Sequence, residues 1–70
     1  MMEQIEKLRV LLPHWIEHNG EHAAEFRDYA EHSGKAKDSL LAAAQLMEEA
    51  NARLSEALDK LGGPLEHHHA

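Results

Sequence analysis

Three consecutive four-residue units, His14-Trp15-Ile16-Glu17, His18-Asn19-Gly20-Glu21 and His22-Ala23-Ala24-Glu25, carry the side chains best suited to chemistry in this chain. Imidazole and carboxylate are ligands for divalent first-row metals, and residues three and four apart on a helix share a face. Adjacent pairs, His14 with His18 or His18 with His22, have the spacing that lets two imidazoles chelate one ion. All three cannot serve one metal on a straight helix, since His14 and His22 stand about 12 Å apart along the axis. A complete site therefore needs Glu21, Glu25 or groups from another copy of the chain. The metal expected is nickel, cobalt, zinc or copper, because all four accept imidazole and spacing does not separate them. The plainer alternative is a solvated stripe whose histidines and glutamates pair weakly across helical turns.

Other chemistries find little to work with. No cysteine is present, which removes thiolate metal sites, disulfides and a thiol nucleophile. There is no glycine-rich phosphate loop and no serine set beside a base and an orienting acid. The chain is therefore expected to be no enzyme. The alternative given least weight is a metal oxidase assembled across a bundle. Di-metal carboxylate bundles carry Glu-x-x-His on two helices, whereas this chain has the reverse order, His-x-x-Glu, on one.

Positioning such a stripe requires helices, and the sequence supplies them. β-branched residues are scarce and no run alternates with period two, so no strand is expected. Leu40, Met47, Leu54 and Leu61 recur every seven residues, with Ala43, Ala50 and Ala57 three positions after the first three. That pattern predicts a helix over about residues 36–61 with a seam of large and small side chains. Leu41, Ala44 and Leu58 widen its apolar face.

Ile5, Leu8, Leu12, Trp15, Phe26 and Tyr29 fall on the same three- and four-residue steps, with Asn19 and His22 between them. They predict a first helix over about residues 3–32 in which His22 edges the core, His18 flanks it and His14 is solvated. A polar seam residue such as Asn19 fixes register or oligomer state. Pro13 is expected to kink this helix. A break at Asn19-Gly20, giving three helices, is the alternative. Gly34 marks the turn, residues 33–35. The expected fold is thus all-α, a two-helix antiparallel hairpin whose apolar flanks are covered by dimerisation into a four-helix bundle.

Composition narrows partners. The chain has 70 residues, with 13 Asp and Glu against 7 Lys and Arg and a formal net charge of −6. An acidic chain without a basic cluster argues against nucleic acid and anionic membranes. No apolar run approaches a bilayer span and no signal-peptide pattern is present, so a cytoplasmic protein is expected. Residues 65–70, Leu65-Glu66-His67-His68-His69-Ala70, read as a remnant of a cloning-derived histidine tag outside a single domain at residues 1–64. So short a chain without disulfides gains stability from a metal or from self-association, which makes a homodimer or higher homo-oligomer the expected state.

The string Leu12-Pro13-His14-Trp15-Ile16-Glu17-His18-Asn19, followed by Glu21-His22-Ala23 and Phe26, resembles a family of short prokaryotic helical domains. These share a His-Trp-x-x-His-Asn-x-x-His core and sometimes accompany metal-handling proteins. The resemblance covers about fifteen residues. It implies that His14, His18 and His22 act as a set. Together these readings point to a small self-associating helical protein that binds a divalent transition metal for buffering, delivery or sensing. The alternative is a helical oligomerisation or adaptor module with no ligand.

Overall fold

The computed structural model describes residues 3–65 and contains two long helices joined by a short turn. Helix α1 spans Gln4–Ala30, and helix α2 spans Lys37–Lys60. A single 3-10 turn, Gly34–Ala36, leads into α2. The two helices pack against each other, and no strand occurs among the described residues. The expected hairpin is present. Glu66 and the histidines of the tail-like ending lie outside the described residues.

Helix α1 begins where the Glu3 backbone N–H donates to the Glu6 carboxylate at 3.0 Å, satisfying one of the free donors of the first turn. It then runs unbroken through Pro13 and the Asn19-Gly20 pair, so the three-helix alternative is not the fold. Pro13 has no N–H to offer the carbonyl of Arg9, four residues back. That carbonyl instead accepts the backbone N–H of Leu65 at 3.3 Å.

The helix ends at Ala30, two residues short of the expected boundary. Ser33 closes it by donating from both its backbone and its hydroxyl to the Ala30 carbonyl. Gly34, at φ +57°, takes the left-handed conformation that reverses the chain. Ala36 precedes α2 without a side-chain cap, and neither Asp38 nor Ser39 supplies one. Asp38 instead sits in the first turn, where its charge complements the helix N-terminus.

The seam between the helices is built from Leu12, Ile16, Asn19, Ala23, Phe26 and Ala30 of α1. From α2 come Leu40, Ala44, Met47, Asn51, Leu54 and Leu58. This corrects the expected register on one side of each helix. Trp15, His22 and Tyr29 are exposed, and Ile16, Ala23 and Ala30, each one residue later, face α2 instead. Likewise Ala50 and Ala57 are exposed, while Asn51 and Leu58 turn inward.

The physical reason is that each helix carries two adjacent apolar stripes. The one with alanines on α1 allows the closer approach of backbones. The interior is small. Its buried residues are Leu12, Ala23, Ala30, Ala44 and Leu58, and no large side chain is wholly removed from solvent.

One polar contact crosses the middle of this seam. The Asn19 amide donates to the Asn51 side-chain oxygen at 3.1 Å, and the Asn51 amide donates to the Ile16 carbonyl at 2.9 Å. Asn19 thus holds the seam position expected of it. At the pole opposite the turn, the Arg9 guanidinium donates to the carbonyls of Gly63 at 2.7 Å and Gly62 at 3.3 Å. Both glycines have positive φ, a conformation in which side-chain-bearing residues are strained.

Candidate functional site

The His/Glu stripe lies along the outer side of α1, and one part of it is assembled. His18 and His22, one turn apart, stack with ring centroids 4.8 Å apart and planes inclined by 25°. Phe26 continues the stack one turn further, 6.3 Å from His22. The Nδ1 atom of His22 lies 3.1 Å from the Glu25 carboxylate. When that nitrogen carries the proton it donates to Glu25, which fixes the ring's orientation and leaves Nε2 as its free lone-pair donor. Metal-binding histidines are commonly held in this way.

The remainder of the stripe is not drawn in. His14, His18 and His22 are all exposed, so the expected gradient from half-buried to solvated is replaced by uniform exposure. Glu21 is exposed and makes no hydrogen bond to the imidazoles among the described residues. Among those residues, no three His, Cys, Asp or Glu side chains of one chain are grouped to hold a metal ion. The assembled part is therefore two imidazoles and one orienting carboxylate.

The stacked arrangement has a chemical consequence. Parallel rings direct their nitrogens side by side rather than at one point, so closing on an ion asks both rings to turn about their side-chain bonds. Exposed side chains make such changes on the picosecond-to-nanosecond scale. A shallow, solvent-open depression lined by Glu25, Asp28, Tyr29, Glu31 and His32 sits further along α1. It is formed by the end of α1 and the two residues that follow it, and offers no enclosure for a substrate.

Electrostatics divide the hairpin. On the side away from the histidines, the Arg27 guanidinium donates twice to the Glu48 carboxylate, at 2.7 and 3.1 Å, linking α1 to α2. The hydrogen bonds to Arg27 hold Glu48 below the usual carboxylate range, while the guanidinium is raised in turn. Sequence spacing gave no sign of this pair, because its members lie 21 residues apart on different helices. Asn51 was missed for the same reason: a partner across the seam is visible only once register is known. An asparagine inside an otherwise alanine- and leucine-rich segment was the available signal.

No described helix is long and apolar enough to cross a membrane. Neither a curated protein nor a solved structure is significantly similar to the chain. A family model, however, matches residues 8–61, which takes in nearly all of α1, the turn and all of α2 together with the stacked histidines and both seam asparagines. The chain therefore belongs to the family described as a domain of unknown function, DUF8180.

Proposed function

We propose that this hairpin is a self-associating protein that binds a divalent transition metal through His18 and His22, serving to buffer, deliver or sense the ion rather than to turn over a substrate. The observation that carries this reading is the imidazole pair one turn apart, with Glu25 placed on Nδ1 of His22. Nickel, cobalt, zinc and copper all suit two imidazoles with water or a second chain completing the shell. The resemblance to domains that sometimes accompany metal-handling proteins supports the same reading. His14, Glu21 and Glu25 are the reserve ligands. They would join only with a second ion, a rotated side chain or another copy.

A second reading, an oligomerisation or adaptor module with no ligand, is favoured by the uncharged flank that the same side of the hairpin presents. Titration separates the two. A chain lacking His67, His68 and His69 should be titrated with nickel, zinc and copper beside its His18→Ala/His22→Ala variant. Metal binding should reach a fixed stoichiometry and raise the melting temperature, and the variant should lose both effects. Free metal at a hundredfold excess over Kd stabilises the folded state by about 2.7 kcal/mol, a shift of roughly ten degrees or more for so small a domain. Equal, weak binding by both proteins would put the adaptor reading first.

A further inference from the structure

We infer that the flank of the hairpin carrying Trp15 and Ala50 is a docking face for a second copy of this chain, with α1 of each copy lying over α2 of the other. This names the surface behind the self-association proposed above and does not depend on metal.

The face follows from helical geometry. At about 100° per residue, Leu11, Trp15, His18, His22 and Tyr29 fall within one sector of α1, beside the seam. On α2 the corresponding sector holds Ser39, Ala43, Leu46, Ala50 and Ala57. Because the helices are antiparallel, both sectors open on the same side of the hairpin, opposite the Arg27–Glu48 bridge. With 29% of its residues charged, the chain nevertheless places no Asp, Glu, Lys or Arg among these ten. Depletion of charge combined with aromatic side chains marks the centre of protein interfaces. Leu46 and Tyr29 are 64% and 72% exposed here, an expensive arrangement for a lone chain in water.

Shape selects the occupant. α1 presents a bulky column at seven-residue steps, Leu8, Trp15, His22 and Tyr29. α2 presents a column of alanines at the same steps, Ala43, Ala50 and Ala57. A two-fold axis parallel to the helices lays the bulky column of each copy over the alanine column of the other, and shared periodicity keeps the two in step along their length. A foreign partner would not need both halves of the match on one chain.

Exposure agrees. Of the five large hydrophobic residues exposed among the described residues, four, Leu11, Trp15, Tyr29 and Leu46, lie on this face. The same pairing supplies the core that two buried leucines and three alanines do not.

Sedimentation equilibrium of the full chain in a metal chelator tests the proposal, so that its outcome is independent of the metal titration. The expected mass is twice that of one chain. Ala50→Trp should weaken dimerisation at least tenfold, because an exposed alanine of a monomer would accept the larger ring but an alanine under a partner helix would not. Ala42→Trp, on the outward side of α2, should leave dimerisation unchanged. Trp15, the sole tryptophan, gives a readout that needs no substitution: its emission should move to longer wavelength on dilution through the dissociation range. A monomer at millimolar concentration, a larger assembly, or a dimer indifferent to Ala50→Trp would each overturn the assignment.

Discussion

The two flanks of the hairpin flank one seam and are built by the same two helices, yet they manage exposure in opposite ways. On one, Arg27 bridges to Glu48 and Lys37 lies 4.0 Å from Glu31, so the surface is held together by charge and kept wet. On the other, Trp15, His18, His22 and Tyr29 of α1 lie beside a row of alanines on α2, with no Asp, Glu, Lys or Arg among them. Exposed ion pairs add little to stability, whereas exposed apolar columns leave free energy available to whatever covers them. One flank therefore ends at solvent. The other, on the docking proposed above, is an unfinished seam, and the imidazole pair lies on it.

Substitutions ranked by expected effect would sharpen or break this contrast. The largest belongs to the seam that both flanks share: Leu12→Ala, at a site 3% exposed, should cost about 2–5 kcal/mol by urea denaturation, enough to unfold much of a chain this small. Next is Asn51→Ala. It removes the acceptor for Asn19 and the donor to Ile16, and should cost about 1–3 kcal/mol. The double change Asn19→Leu/Asn51→Leu should recover that stability while broadening the amide NMR spectrum, because nothing polar then fixes how the helices slide past each other.

Gly20→Ala should have a smaller effect of opposite sign. A methyl group there would meet the Asn51 amide at 3.8 Å, ordinary van der Waals contact. The substitution also reduces the freedom of the unfolded chain, so a gain of about 0.4–1 kcal/mol is expected. A loss would show that the seam is tighter at Gly20 than the structure has it.

The smallest effect is expected on the charged flank. Because Glu48 is held below the ordinary carboxylate range, its bond to Arg27 is in place above that range and is lost as pH falls through the lowered value. Glu48→Gln should flatten the acid end of the stability profile and lower neutral-pH stability by only the same small increment. If this variant cost more than Asn51→Ala, the contrast between the flanks would have to be redrawn.

Much of this architecture is legible in the sequence, and the errors share one cause. The heptad of Leu40, Met47, Leu54 and Leu61 and the glycine at position 34 place the second helix and the turn, because period and backbone freedom are local properties. Which apolar stripe of each helix turns toward its neighbour in the same chain is not local. Trp15, His22, Tyr29, Ala50 and Ala57 make as regular a seam as the residues that face inward, and periodicity alone cannot rank two parallel stripes. The histidines follow the same logic. Spacing places His18 and His22 on a common face, whereas their stacking and the hold of Glu25 on His22 depend on side-chain rotation, which spacing does not encode.

Arg9 reaches from the second full turn of α1 to the carbonyls that follow α2. The last turn of a helix ordinarily frays, and its amides trade hydrogen for deuterium before any others. Here that turn is pinned to the opposite helix, so it can open only when the helices part. The amides around Leu58 to Leu61 should therefore exchange at nearly the rate of those beside Asn51, and Arg9→Ala should release them first.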